Sequence, residues 1–253
     1  MSQHVAETCL VWQEACIETL EPLADGLRRV VVRPRLWRRP QAGQHLDIRL
    51  TSDDGYQAQR SYSLLSPPEC EDVYELGIER LTDGEVSTWF HDHAVVGDTI
   101  EIIGPVGGHF VWNASDETPA LLIGGGSGAI PLLSMVAHHV RHATRAPMFL
   151  CLAARTLDHV PRWDDLQRWE REFSNFRIQL ALSRQTLAPR PQDRSGRLQQ
   201  EDLASALHWL EMYAVKACRA YVCGRNGFVE SVVAMLRELR LPDDAIRTER
   251  FGG

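Results

Sequence analysis

The stretch GGGSGAIP, residues 124–131, follows an apolar run, ALLI, and precedes one with helical spacing, LLSMVAHHVRHA. Gly124, Gly126 and Ala129 fit the pattern G-x-G-x-x-A. Glycines at 125, 126 and 128 around Ser127 let backbone N–H groups approach an anion, and a helix that begins there turns its N-terminus toward a pyrophosphate. The competing reading is a tight glycine turn that holds nothing. The next strand bears on the choice. A dinucleotide fold that takes an unphosphorylated ribose places an acid about 20 residues on. Here the strand MFLCLAA ends at Arg155, a later strand ends at Ser183-Arg184, and the loop DRSGRL adds Arg197. Three arginines at the ends of neighbouring strands suit a ribose 2′-phosphate. As unrelated residues they would be ordinary solvated arginines.

Other reactive residue types form no such pattern. The six cysteines, Cys9, Cys16, Cys70, Cys151, Cys218 and Cys223, contain no C-x-x-C pair and no iron–sulfur spacing. Scattered cysteines without a signal peptide predict a reducing, cytoplasmic setting. His91 and His93, and the group His138, His139 and His142, have no carboxylate at a metal-site spacing, so they are expected to be exposed helix residues and no metal is expected. No serine–histidine–acid arrangement has motif support.

Composition narrows the class further. Hydrophobic residues make up 44% of the 253-residue chain and charged residues 24%, ordinary globular values. A formal net charge of −7 gives no general attraction to nucleic acid or to an anionic membrane. No apolar run is long enough to span a bilayer. The segment LRRVVVRPRLWRR carries six arginines, Arg28, Arg29, Arg33, Arg35, Arg38 and Arg39, and no acid. It is read either as a solvated strand edge or as a docking patch for an acidic partner.

The elements that must position these residues fall into two halves. RRVVVRPRLW, QHLDIRLT, RSYSLLSP, YELGIERL and TIEIIGPVGGHFVW are short β-rich runs separated by turn residues, with one helix opened by Ser87. This predicts an antiparallel β-barrel over 1–113. After the polar stretch WNASDETP, strands and helices alternate, which predicts an α/β parallel-sheet domain over 117–253. The oligomeric expectation is a monomer.

Several motifs in order resemble the ferredoxin–NADP+ reductase family, and the resemblance covers nearly the whole chain. RSYS (Arg60, Ser61, Tyr62, Ser63) resembles its first flavin motif. GEVST (Gly84, Glu85, Val86, Ser87, Thr88) resembles its second. GPVGGHF resembles the strand that closes the flavin domain, GGGSGAIP the coenzyme loop, YVCGRNGFVES the C-G motif, and TERFGG the acid–aromatic ending. The resemblance implies a two-domain flavoenzyme with non-covalent FAD in the barrel and NADPH on the α/β domain. It implies that Arg60 and the GEVST amides meet the FAD pyrophosphate. Tyr62 would pack on the isoalloxazine, Ser63 would hydrogen-bond near N5, and Ile78, Glu79 and Arg80 would line the flavin with backbone groups. Cys223 would lie beside the nicotinamide, and Gly224 and Phe228 would belong to the cofactor-binding set. Glu249 would sit near the hydride-transfer centre, and Phe251 would cover the flavin face opposite Tyr62 as a movable lid. By resemblance the catalytic set is Ser63, Cys223 and Glu249. No iron–sulfur domain is present, so the implied acceptor is a separate carrier, an acidic ferredoxin or flavodoxin. The alternatives are the reductase component of an oxygenase system, a free-flavin reductase, and a flavin-binding subunit that turns nothing over.

Overall fold

The computed structural model describes residues 10–213 and 218–251. The first half is a six-stranded antiparallel sheet of β1 (Gln13–Ala24), β2 (Leu27–Pro34), β3 (His45–Thr51), β4 (Gln57–Ser63), β5 (Tyr74–Glu79) and β6 (Thr99–Val106). Their order is β4-β3-β6-β1-β2-β5, and a bridge between Leu64 and Leu76 brings the two edge strands together into a barrel. Alternation sets the inner face. In β3, Leu46 and Ile48 are buried while Asp47 and Arg49 face outward. The helix α1 (Glu85–Asp92) plugs the barrel with Val86 and Phe90.

The second half is a six-stranded parallel sheet. It contains β7 (Ala120–Gly125), α2 (Ala129–His142), β8 (Met148–Ala154), α3 (Trp163–Glu172), β9 (Phe176–Leu182), β10 (Arg194–Ser195), α4 (Gln200–Glu211), β11 (Arg219–Arg225), α5 (Asn226–Glu238) and β12 (Ile246–Phe251). The order is β10-β9-β8-β7-β11-β12. The chain winds outward from β7 on one side and then restarts at β11 on the other. That reversal opens a crevice at the carboxyl ends of β7 and β11, where ligands of such sheets bind.

One apolar cluster joins the halves. Leu27, Leu65, Phe110 and Trp112 from the barrel side pack with Ile130, Met135 and Val136 of α2 and with sheet residues such as Leu150. Ile130 fills the space beside Gly77, where an added Cβ would lie 2.3 Å from its Cδ1. The buried Ser134 hydroxyl donates to the Ser66 carbonyl at 2.8 Å.

Several elements differ from the sequence expectation. β1, α4, β10 and β12 were not anticipated, and α1 begins at Glu85, two residues before Ser87. Phe251 is not on a loose tail. It is the last residue of β12, in register with Arg225; Gly252 and Gly253 lie outside the described residues. The arginine-rich β2 segment is also less basic than its sequence. Arg29 pairs with Glu21 and Glu75, Arg33 with Glu18 and Arg35 with Glu14, so the neighbouring β1 and β5 supply the acids that the segment lacks.

Candidate functional site

The glycine loop occupies the crevice. Gly126 has φ +59°, and the space its Cβ would occupy is open. Gly128 is there for the opposite reason: a Cβ would lie 2.2 Å from the carbonyl oxygen of Cys223. Its absence lets the start of α2 press against β11. Phe228, in the first turn of α5, lays its ring beside Gly125 and Gly224. These residues border a cleft of about 880 Å³ that also takes in Ser127, Arg155, Ser183 and Arg197. The side chains of Arg155 and Arg197 are exposed and make no ion pair with a described residue. Arg184 does not line the cleft, although its N–H donates to the Arg155 carbonyl at 2.8 Å.

The barrel contributes a second group of residues. Ser63 is buried at 4% exposure, and its hydroxyl is a buried polar atom with no partner among the described residues. Such an atom costs free energy unless a ligand satisfies it. Tyr62 stands edge-on to Phe90, with centroids 6.2 Å apart. Arg60 is exposed, and among the described residues its guanidinium donates only to its neighbour's carbonyl, Gln59 O, at 2.6 Å. Ser61 is bonded instead to Asp47. At α1 no side chain caps the N-terminus, which leaves its first N–H groups for an anion. The hydroxyls there are already used: Ser87 donates to Gly84 O at 3.1 Å and Thr88 to Leu81 O at 3.3 Å, both bracing the loop. Glu85 accepts from the Tyr56 hydroxyl. The side chain of Ile78 is in the barrel core and its carbonyl accepts from His91 at 2.9 Å, while Arg80 pairs with Asp92. The orphaned Ser63 hydroxyl, the unpaired Arg60 and the uncapped helix fit a flavin with a pyrophosphate. None of them lines the larger cleft, which meets the barrel at Glu79, Arg80 and Leu81.

Beside the glycine loop, Cys223 and Glu249 lie opposite one another in the β11–β12 register, with the Cys223 carbonyl against Gly128. Burial pushes the Cys223 thiol up, helped by Glu249, so it is a neutral, polarisable wall rather than a nucleophile. Burial raises the Glu249 carboxyl to about 7. Phe251 is half-buried against the cluster that includes Cys223.

Residues 39–112 match the oxidoreductase FAD-binding domain family and residues 122–234 match the oxidoreductase NAD-binding domain family. The chain belongs to these two oxidoreductase domain families and has the two-domain fold of the ferredoxin–NADP+ reductases. Among similar proteins, the phenol hydroxylase P5 protein of Acinetobacter pittii (strain PHEA-2) is 29% identical over 239 residues, covering 93% of this chain and 63% of that protein. The phenol 2-monooxygenase reductase component of Pseudomonas sp. (strain CF600) is 28% identical over 232 residues, covering 92% of this chain and 62% of that protein. The chain thus spans less than two thirds of these relatives. A ferredoxin NADP+ reductase from Neisseria gonorrhoeae, solved with FAD and NADP, shares the fold with TM-score 0.77 and 21% identity, covering 94% of this chain and 98% of that one. No helix among the described residues is long and apolar enough to cross a membrane.

Two features of this family member were missed in the sequence. The Glu79 carboxylate accepts from Ser127 Oγ at 2.6 Å and lies 3.7 Å from Arg225 Nη2, so it ties the barrel to both loops of the crevice. Arg225 directly follows the C-G pair, which is the one signal that could have found it. Of the α2 histidines only His142 is exposed as expected. His139 is fully buried and His138 is 8% exposed. The missing carboxylate is Glu69, 69 residues away from His138, which bonds His138 at 2.7 Å and His142 at 2.9 Å. The Ala114 N–H donates to His138 Nε2 at 3.3 Å and so places the ring proton on Nδ1, facing Glu69.

Proposed function

We propose that the chain oxidises NADPH, with FAD bound in the barrel, and passes the electrons to a separate one-electron carrier of the ferredoxin or flavodoxin class. The observation that carries the coenzyme choice is Arg155 and Arg197, two cations without an ion-pair partner among the described residues, on the cleft that holds the glycine loop. FAD would supply the exchange between a two-electron hydride donor and one-electron acceptors. In this reading Arg60 and the start of α1 hold its pyrophosphate, the Ser63 hydroxyl meets the ring edge, and Tyr62 packs on one face. Phe251 covers the other face. Its place at the end of a strand means that displacement by the nicotinamide breaks contacts at the β12 terminus rather than swinging a free tail. Cys223 leaves room for close approach, and Glu249 sits beside it as a carboxyl that gains or loses a proton near neutral pH.

A second reading has the same chemistry and a different acceptor, an oxygenase that this chain serves as reductase. It is favoured by the relatives' names, phenol 2-monooxygenase reductase component among them. One experiment tests both. Coenzyme oxidation is measured with NADPH and NADH, each with ferredoxin, flavodoxin, free FMN and dioxygen as acceptors. The expected NADPH preference in kcat/KM is roughly 10²–10⁴-fold, from one to two charged hydrogen bonds. Equal values for the two coenzymes overturn the NADPH assignment. Turnover with free FMN but with no protein carrier overturns the carrier.

A further inference from the structure

We propose that Glu79 is an internal substitute for the coenzyme pyrophosphate and sets the affinity of the crevice for dinucleotides. The inference rests on reading the crevice as a coenzyme site. Glu79 is the last residue of β5, on the barrel side, yet both its oxygens reach into the other domain. One accepts from Ser127 Oγ at 2.6 Å; the other faces Arg225 Nη2 at 3.7 Å. Ser127 sits between Gly126 and Gly128 in the turn that leads into α2, and Arg225 immediately precedes α5. These are the two loops at which the sheet reverses direction. A carboxylate that takes a hydroxyl from the turn before α2 and faces a guanidinium from the residue before α5 does what a phosphate oxygen would do there. A dinucleotide must either displace Glu79 from these donors or sit beside its negative charge, and both weaken binding. The cleft cations without an ion pair among the described residues, Arg155 and Arg197, follow β8 and β10, whereas the other residues beside Glu79 do not offset its charge. Arg80 is paired with Asp92, and Asp25 lies near His159 at 3.3 Å. The benefit is release: an internal competitor keeps oxidised coenzyme from lingering after it has given up its hydride.

A purely structural clamp would have the same contacts, so the test separates bond from charge. Glu79→Gln keeps an oxygen acceptor for Ser127 and removes the charge. Calorimetric titration of the flavin-loaded protein with ADP-ribose, its 2′-phosphate and inorganic pyrophosphate gives affinity without turnover. The variant is expected to bind each about tenfold more tightly, to leave adenosine binding unchanged, and to lose part of that gain at high salt. Glu79→Ala gives the same direction of change and serves if the glutamine variant does not fold. Unchanged or weaker binding of the phosphate ligands in the folded variant overturns the proposal. A wild-type protein that binds none of these ligands and oxidises neither coenzyme overturns the underlying reading of the crevice instead.

Discussion

Burial alone lifts the Glu249 carboxyl to about 7, against 4.5 for the free side chain. The sign of its effect on stability follows. The folded carboxyl keeps its proton while the unfolded one loses it near 4.5, so its contribution is full below 4.5 and is lost as pH rises to about 7. That spread corresponds to at most about 3 kcal/mol. Glu249→Gln should therefore gain stability relative to wild type as pH rises from 5 to 8, measured as the difference in denaturant midpoint. The same variant should remove a step near neutral pH from the kcat profile for coenzyme oxidation. Parallel midpoint curves for the two proteins would sink the assignment. The proposed coenzyme reading puts the cleft arginines to a separate test. Arg155→Gln or Arg197→Gln should raise KM for NADPH about tenfold, the weight of one charged hydrogen bond, and leave KM for NADH within a factor of two. A similar rise for both coenzymes would mean that these arginines are not reading the 2′-phosphate.

At the scale of elements, the glycine loop depends on two glycines for different reasons, and they should fail differently. Gly128→Ala drives a Cβ to 2.2 Å from a backbone oxygen of β11, which neither partner can yield by a rotamer change. It should cost about 1–3 kcal/mol as overpacking. Gly126→Ala meets no atom and bears only the left-handed backbone cost of about 1 kcal/mol. It should lower coenzyme affinity more than stability. Equal stability loss in chemical denaturation would show that the approach of α2 to β11 is not what Gly128 provides. These two positions also show which elements could be read in advance. The loop, β7 and the start of α2 were legible because glycine spacing, an apolar strand and a helical pattern agree. β1 was not. Its buried positions, Ala15 and Ile17, are few, and its glutamates resemble a loop until they meet the arginines of β2. α4 lacked the usual cap residues because Gln199 and Asp202 form its capping box. β12 was hidden for a related reason: IRTERF is mostly polar, and its strand form comes from pairing with β11. On the barrel side, RSYS announced itself by motif, but which hydroxyls are free there is a matter of contacts. Ser63 has none among the described residues, whereas Ser61, Ser87 and Thr88 are bonded.

The whole molecule is held together by α2, which is buried against both halves, so the domains should unfold in one transition. The same helix makes that transition sensitive to acid. Burial pushes His139 down to about 4, with a smaller contribution from His138. Its Nδ1 bonds Thr144, and its Nε2 has no partner among the described residues. An unfolded histidine takes a proton near 6.5, so the contribution of His139 is present above 6.5 and is lost as pH falls to about 4. The span is up to about 3 kcal/mol. Burial also lowers His138, against the pull of Glu69, and Arg39 adds a further positive charge to that corner of the interface. This dependence runs opposite to that of Glu249, so the wild-type curve is a difference of two slopes and identifies neither group. Each appears only in the comparison of variant with parent. His139→Leu, close in volume and without a titrating group, gives up the Thr144 bond at every pH but removes the acid penalty. Its midpoint relative to wild type should rise steadily from pH 7.5 to pH 5, while Glu249→Gln moves the other way over the same range. If His139→Leu tracks wild type across that range, the acid sensitivity of the interface lies outside His139, with Glu69 and His138 the next groups to replace.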